Sequence, residues 1–179
     1  SDSSIISNEA KIGNNVTIYE GVVIKNNVLI KDNCTISANT TIGENTTLSK
    51  NVYVESNCYI SNCIIGQNSN IQPGVIIGCL GFGFAIDEDE YLDFKHLGKI
   101  IIGENFRIGS NSCLSRGSLN DTIIGNNVRI DNLVHIAHNV KIGNNCIIAG
   151  QSGIAGSTTL GNNVVMGGQV GISGHLKIG

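Results

Sequence analysis

An aliphatic residue recurs at every sixth position over most of the chain. One series runs from Ile12 to Ile60, and a second runs from Ile124 to Ile178. A small or β-branched residue follows these aliphatics four places later, from Val16 to Ile64 in the first series and from Val128 to Val170 in the second. A period of six fits neither the turn of an α-helix nor the simple alternation of a meander strand. The spacing is typical of a hexapeptide solenoid, in which short flat strands wind into a prism.

Three hexads make one coil of a triangular prism, so residues 18 apart are predicted to stack about 4.8 Å apart. The inward aliphatics then fill one continuous all-β domain over residues 1–179. The corners need tight turns, for which asparagine is suited because it tolerates the left-handed backbone region. Asparagine pairs stand at Asn14-Asn15, Asn26-Asn27, Asn126-Asn127, Asn144-Asn145 and Asn162-Asn163, and we expect Gly13, Gly43, Gly125, Gly143 and Gly161 to relieve the same turns.

The hexad register breaks in three places, and such breaks tend to be functional loops. The step from Ile60 to Ile65 is one residue short, and a break follows Arg116. The largest break is an insertion over 78–101, which contains Phe82 and Phe84. This segment is too apolar and too rich in glycine for a passive linker. We expect it to line a ligand groove, although packing onto a partner subunit would produce the same composition.

The overall charge and composition exclude two classes of partner. The net charge is −3 and the pI is near 5.7, whereas a nucleic-acid binder needs a basic stripe. No apolar stretch approaches the roughly 18 residues of a membrane span, and no charged-then-apolar leader opens the chain. We therefore expect a soluble, cytoplasmic protein with no nucleic-acid partner and no stable membrane insertion.

The six cysteines divide by their place in the repeat. Three occupy the small inward register, where a thiol packs as a compact hydrophobe: Cys34, Cys58 and Cys146. The other three are less well placed by the repeat, and one of them could be reactive: Cys63, Cys79 and Cys113. Reduced structural thiols are the favoured interpretation.

Histidine is the side chain best suited to proton transfer near neutral pH. His138 lies two places after the ladder residue Ile136, and Gly156 follows His138 by one full coil of 18 residues. The next coil brings Gly174 and His175 to the same column. A histidine beside the backbone N–H of a glycine provides a general base and an oxyanion donor for acyl transfer. That glycine and histidine simply suit a corner turn is an equally open interpretation.

Three other interpretations bear on these residues. His135 and His138 flank the inward Ile136, so a shared zinc ion is not expected, and neither is any cofactor. Asp131 and Asn132 precede His138 by about one hexad and belong either to a neighbouring face, to an adjacent subunit's half of a cleft, or only to their turn. A non-enzymatic β-solenoid binding protein is the third alternative. Threonine pairs at 40–41 and 46–47 hint at a binding array, but the array does not continue, since the equivalent positions are Val52-Tyr53 and Cys58-Tyr59, and two rungs do not make a surface.

Several motifs, in chain order, resemble one family. They are Gly81-Phe82-Gly83-Phe84-Ala85, Ile102-Gly103 through Arg116-Gly117, Asp121-Thr122-Ile123-Ile124-Gly125, Asp131-Asn132, Ile136-Ala137-His138-Asn139-Val140, Ile154-Ala155-Gly156-Ser157 and Gly174-His175-Leu176. Together they are similar to UDP-3-O-(3-hydroxyacyl)glucosamine N-acyltransferase of lipid A (lipopolysaccharide) biosynthesis, a hexapeptide-repeat acyltransferase.

The resemblance implies a left-handed parallel β-helix assembled as a homotrimer, with active sites in clefts between subunits. It implies transfer of a 3-hydroxyacyl chain from acyl carrier protein to the 2-amine of a UDP-sugar. His138 matches the general base, Gly156 the oxyanion donor and His175 a second active-site histidine. The polar residues beside the base are matched by Asp131 and Asn132. Substrate contacts are also expected from His135, Phe82 and Phe84.

The family also has features that this chain does not share. An N-terminal uridine-binding domain and a C-terminal helix are expected from the resemblance but lie outside this chain. Ser115 stands where the family commonly has aspartate. Two rival activities remain: the sister UDP-N-acetylglucosamine O-acyltransferase, which shares the His-Ile-Ala-His run, and an acetyl-CoA-dependent nucleotide-sugar N-acetyltransferase.

Overall fold

The computed structural model describes residues 3–88 and 90–179 and has the predicted all-β solenoid fold. Asp89, within the predicted insertion, and residues 1–2 lie outside the described residues.

Before the insertion the strands are β1 Ile5–Ile6, β2 Lys11–Ile12, β3 Thr17–Ile18, β4 Val23–Ile24, β5 Leu29–Ile30, β6 Thr35–Ile36, β7 Thr41–Ile42, β8 Thr47–Leu48, β9 Tyr53–Val54, β10 Tyr59–Ile60, β11 Cys63–Ile65, β12 Asn70–Ile71 and β13 Ile76–Cys79. The insertion carries β14 Phe84–Asp87 and β15 Glu90–Asp93. After it come β16 Ile100–Ile102, β17 Arg107–Ile108, β18 Cys113–Ser115, β19 Thr122–Ile124, β20 Arg129–Ile130, β21 His135–Ile136, β22 Lys141–Ile142, β23 Ile147–Ile148, β24 Gly153–Ile154, β25 Thr159–Leu160, β26 Val165–Met166, β27 Gly171–Ile172 and β28 Lys177–Ile178.

The strands form three parallel sheets, which are the faces of a left-handed prism. Face A holds β1, β4, β7, β10, β13, β18, β21, β24 and β27 in that order. Face B holds β2, β5, β8, β11, β16, β19, β22, β25 and β28, and face C holds β3, β6, β9, β12, β17, β20, β23 and β26. The predicted solenoid is therefore confirmed, with the chain visiting the faces in the order A, B, C.

The predicted coil length is confirmed on both sides of the insertion. Ile24 pairs with Ile42, and Ile136 pairs with Ile154, each 18 residues on. Alternate side chains of a strand point to opposite sides of its sheet. In most strands the side chain of the second residue therefore points into the prism and is buried. The inward aliphatics stack in columns that fill the prism.

The predicted breaks coincide with the changes in register. The short step shifts the pairing to 17 residues between Tyr59 and Ile76. The insertion lengthens the coil, so that Ile65 pairs with Ile102, and the break after Arg116 makes Cys113 pair with His135. The excursion itself is shorter than 78–101. It occupies 80–99, because β13 continues to Cys79 and β16 begins at Ile100.

The asparagine corners behave as predicted. The second residue of each pair has left-handed backbone, with φ of 54° at Asn15, 56° at Asn127 and 58° at Asn145. The expectation that the neighbouring glycines relieve the same turns was wrong, since none of them has positive φ. They are required by stacking instead: a Cβ on Gly143 would lie 2.6 Å from the carbonyl carbon of Gly161 in the next coil.

The two threonine pairs do not form a binding surface, because the first threonine of each pair points into the prism. Thr40 and Thr46 are fully buried. The Thr40 hydroxyl donates to the Glu55 carbonyl at 2.9 Å, which satisfies it inside the prism. Within the described residues there is also no helix with the length and apolarity to cross a membrane.

Candidate active site

His138 lies at the corner where the chain passes from face A to face B. It follows β21, whose Ile136 is buried in the core. The next residue, Asn139, takes the left-handed corner conformation with φ of 61°. This local winding leaves the His138 imidazole half-buried on the outside of the prism.

A hydrogen-bond network assigns the tautomer of His138. The Asn139 side-chain oxygen accepts from the backbone N–H of Ser118 at 3.1 Å, and its amide nitrogen donates to the Asn120 carbonyl at 2.7 Å. Both contacts identify which end of the amide is oxygen. His138 Nδ1 lies 3.0 Å from the same oxygen and therefore carries the proton. In the neutral imidazole Nε2 is then the free base.

Gly156 lies directly above His138 in the next coil, as the 18-residue spacing predicts. The Ser157 N–H donates to the His138 carbonyl at 3.0 Å, which locks the two coils in register. A Cβ on Gly156 would lie 2.8 Å from both Cε1 and Nε2 of His138. Only a glycine lets the imidazole lie this close to the backbone of the upper coil.

The backbone N–H of Gly156 has no side-chain acceptor in the coil above it. At the corner between faces B and C such acceptors are present: the Asn126 N–H donates to Asn144 Oδ1, and the Asn144 N–H donates to Asn162 Oδ1, both at 2.7 Å. Above Gly156 stands Gly174, which has no side chain. Within residues 3–88 and 90–179 the Gly156 N–H donates to no protein group. A donor without a partner beside an imidazole is suited to bind an oxyanion.

Gly174 completes the predicted column one coil above Gly156, and His175 is the residue that follows it. Its backbone N–H donates to the Gly156 carbonyl at 3.1 Å, and its φ of 62° places it at the left-handed corner position. The side chain is exposed. It stands two coils above Asn139 rather than directly above His138.

The insertion folds over the His138 corner. Gly81 fits so tightly that a Cβ there would lie 2.8 Å from His138 Cβ and 2.6 Å from His96 Nε2. The His96 ring is 6% exposed, and its centroid lies 5.8 Å from that of His138. Its Nδ1 donates to the Phe94 carbonyl at 3.0 Å. Sequence reasoning did not select His96, since the insertion has no repeat register; a histidine among the insertion's aromatic residues was the available signal.

An open cavity of about 600 Å³ lies against this corner and runs up face A. His138, Gly156, His135 and Phe82 all line it. Phe84 does not line it, but its ring contacts that of Phe82 edge-to-face at 5.2 Å. The structure therefore brings five of the predicted site residues to one place.

The floor of the cavity is bare backbone. Above His135 the outward positions of face A are Gly153 and Gly171, which pair in adjacent strands. A Cβ on either would meet no atom within 4 Å, so their lack of side chains leaves a groove open. Partial burial lowers the pKa of His135, which favours its neutral imidazole beside this apolar surface.

Asp131 and Asn132 lie at the opposite corner, where face C meets face A. The Asp131 carboxylate accepts from the Gly150 N–H at 3.1 Å, and Asn132 Oδ1 accepts from the Ser110 N–H at 2.7 Å. Asp131 lines a separate cavity with Arg107. Within one chain the structure does not bring this pair to His138, and both side chains serve the turns of neighbouring coils.

Ser115 is also a structural residue. It is 2% exposed, and its carbonyl accepts from the Thr122 hydroxyl at 2.9 Å. The adjacent Arg116 donates through Nε to the Gly98 carbonyl at 2.7 Å and so holds the end of the insertion. Within the described residues no cluster of three or more His, Cys, Asp or Glu side chains could hold a metal ion.

Comparison with known families supports this description. The family model for the GMPPB C-terminal domain matches residues 6–115, which is more than half of the chain. The chain belongs to this family. A second family model, the bacterial transferase hexapeptide (six repeats), matches residues 121–156, where His138 and Gly156 lie.

The resemblance to the N-acyltransferases is confirmed by curated relatives over part of the chain. A UDP-3-O-acylglucosamine N-acyltransferase from Hydrogenovibrio crunogenus is 47% identical over 81 residues, which are 45% of this chain and 23% of that protein. The UDP-3-O-acylglucosamine N-acyltransferase 2 of Legionella pneumophila is 48% identical over 83 residues, which are 46% of this chain and 24% of that protein. The matched segments thus span about a quarter of the length of these relatives.

Solved structures extend the similarity to nearly the whole fold. The Arabidopsis UDP-N-acetylglucosamine acyltransferase superposes with a TM-score of 0.66 at 25% sequence identity. The match covers 99% of this chain and 62% of that chain. The prism is therefore the fold of known acyltransferases.

Proposed function

We propose that this chain is the catalytic β-helix of an N-acyltransferase of lipid A biosynthesis. The reaction moves a 3-hydroxyacyl chain from the thiol of acyl carrier protein to the 2-amine of a UDP-3-O-acylglucosamine. One observation carries the proposal. His138 Nε2, which Asn139 leaves free as a base, lies close to Gly156 in the coil above, and the Gly156 N–H donates to no protein group among the described residues. The name shared by the curated relatives supports the acceptor, a UDP-3-O-acylglucosamine, and the acyl-carrier-protein donor is part of the proposal.

Each group has a role in the proposed reaction. As the sugar amine attacks the thioester carbonyl, His138 Nε2 accepts its proton. The negative charge that develops on the carbonyl oxygen is stabilised by the Gly156 N–H. When the tetrahedral intermediate collapses, the carbon–sulfur bond breaks and the His138 imidazolium returns the proton to the leaving thiolate. The Asn139 oxygen stabilises the imidazolium through Nδ1 during this step.

The groove over Gly153 and Gly171 is suited to an acyl chain. It is open, mainly apolar and continuous with the His138 corner. Phe82, which is 87% exposed in the isolated chain, stands at its edge and would be covered by a bound chain. His175 lies one coil above the oxyanion position and is suited to contact the sugar side of the substrate.

The positions of Asp131 and Asn132 support assembly as a homotrimer. The resemblance implies that this pair belongs to the active site, whereas within one chain its corner is separated from His138 by the width of face A. In a homotrimer a neighbouring chain would bring the pair to this cavity. We therefore infer that the active site is a cleft between subunits, in a cytoplasmic enzyme. A uridine-binding domain preceding this β-helix and a helix following it remain predictions.

An acyl-transfer assay with matched donors and acceptors tests the function. The protein is incubated with 3-hydroxyacyl-acyl carrier protein or acetyl-CoA, and with UDP-3-O-acylglucosamine or UDP-N-acetylglucosamine. We expect N-acylation only with the carrier-protein donor and the amine acceptor. Acylation of the UDP-N-acetylglucosamine hydroxyl would instead assign the sister O-acyltransferase activity, and turnover with acetyl-CoA would assign an N-acetyltransferase.

A further inference from the structure

Two cysteines face each other at the root of the insertion. Cys79 is the last residue of β13, and Cys113 is the first residue of β18, the next strand on face A. Their sulfur atoms lie 3.2 Å apart, and both thiols are free and partly exposed. The approach arises because Gly78, with φ of 91°, forms a bulge that moves Cys79 out of the regular register. None of the catalytic roles proposed above uses either thiol.

The surroundings activate one of the two thiols. Hydrogen bonding from the Cys113 thiol lowers the pKa of Cys79 to about 6 against the opposing effect of burial, and the Ser115 hydroxyl at 3.5 Å adds to it. The pKa of Cys113 is raised, because its thiol hydrogen-bonds to Cys79 and its own ionisation would place a second negative charge there. By contrast, burial raises the pKa of Cys63 to about 12. Cys79 is therefore the thiol of the pair that ionises more readily, and a second thiol is in contact with it.

We propose that Cys79 and Cys113 form a thiol–disulfide exchange site that a low-molecular-weight disulfide such as glutathione disulfide oxidises to an internal disulfide. The Cys79 thiolate attacks one sulfur of the reagent, which forms a mixed disulfide and releases one glutathione thiolate. Cys113 then loses its proton and attacks the Cys79 sulfur, which releases the second glutathione. Two protein thiols are oxidised, and one glutathione disulfide is reduced to two glutathione molecules.

The geometry favours the second step. A disulfide has a sulfur–sulfur distance of about 2.05 Å, so the two sulfurs need to approach by about 1.2 Å. The bond would tie the start of the insertion to β18 on the outer side of face A. There Cys113 pairs with His135, which lines the cavity at His138. The site therefore adjoins the proposed active site but is chemically independent of it.

Peptide mapping of the folded protein tests the proposal without any acyl substrate. The protein is incubated with glutathione disulfide at neutral pH, its remaining thiols are alkylated, and its peptides are analysed by mass spectrometry. We expect a Cys79–Cys113 disulfide, with Cys34 and Cys63 still reduced. The variant Cys113→Ala should instead accumulate one glutathionyl group on Cys79, while Cys146→Ala should behave as the unchanged protein.

The rate of alkylation of Cys79 provides a second, independent readout. In the unchanged protein Cys79 should react with iodoacetamide with a midpoint near pH 6, because the thiolate is the nucleophile. Removal of the donor in Cys113→Ala should slow this reaction at pH 6.5 by about tenfold or more. A Cys79–Cys113 pair that stays reduced, or a Cys79 no more reactive in the folded protein than in Cys113→Ala, would overturn the proposal.

Discussion

Replacing Gly156 with alanine tests the contact between the two coils that form the proposed site. The added Cβ would lie 2.8 Å from His138 Nε2 and Cε1, whereas carbon atoms in contact prefer about 3.5–4.0 Å. Relief of the clash therefore requires a displacement of about 0.7–1.2 Å. The backbone of Gly156 is not in the left-handed region, so alanine adds no strain there and the variant should fold.

A displacement of this size has a predictable effect on catalysis. Misplacing a catalytic group by 1 Å costs about 10²-fold in rate. We therefore expect kcat of Gly156→Ala to fall by about 10²-fold, which corresponds to about 2.7 kcal/mol in activation free energy. The assay is steady-state N-acylation with the acyl-carrier-protein donor, and circular dichroism checks the fold.

Gly167→Ala is the matched control. Gly167 follows β26 at another corner of the prism, and the atom nearest to a Cβ placed there would be 4.0 Å away. This variant should keep the unchanged protein's kcat. If Gly156→Ala also retained full kcat in a folded protein, the close packing of Gly156 against His138 would have no part in the reaction.

Three further perturbations address the base, the core and the cavity. Asn139→Asp keeps an oxygen acceptor for His138 Nδ1 but adds a negative charge that favours the imidazolium. The acidic limb of the pH–rate profile should therefore move to higher pH. A limb that does not move would contradict the contact between Asn139 and His138. Phe106→Ala removes a fully buried ring from the inward column and should lower the free energy of unfolding by about 3–5 kcal/mol in denaturant titrations, whereas a loss below 1 kcal/mol would contradict its core position. Because the pKa of His135 is lower in the folded than in the unfolded chain, the unfolded chain binds more protons, and the free energy of unfolding should fall as pH drops through 6.5 and below. His135→Gln should make this dependence on pH less steep. An unchanged dependence would contradict the lowered pKa of His135.

The hexad spacing predicts the fold well because a solenoid couples every position to the one a coil away. The vertical contact of His138 with Gly156 and the left-handed corner at Asn145 both follow from counting residues. The spacing also places Gly174, which has no side chain, above the N–H of Gly156.

Residues outside the register could not be placed in this way. His96 lies in the insertion, whose path over His138 depends on the tight fit of Gly81 and on the Phe94 carbonyl. The orientation of Asn139 depends on Ser118 and Asn120, which belong to a loop without repeat spacing. Where the hexad ends, the sequence pattern no longer determines which side chains meet.

Both His138 and Gly156 act in the proposed reaction only if the imidazole is the base. The most direct measurement is the N-acylation rate of His138→Ala, made in a protein whose circular dichroism and oligomeric state match those of the unchanged protein. The account predicts a fall in kcat of about 10²–10⁴-fold, as expected for loss of a general base. A folded His138→Ala protein that acylates the amine at a near-normal rate would contradict it.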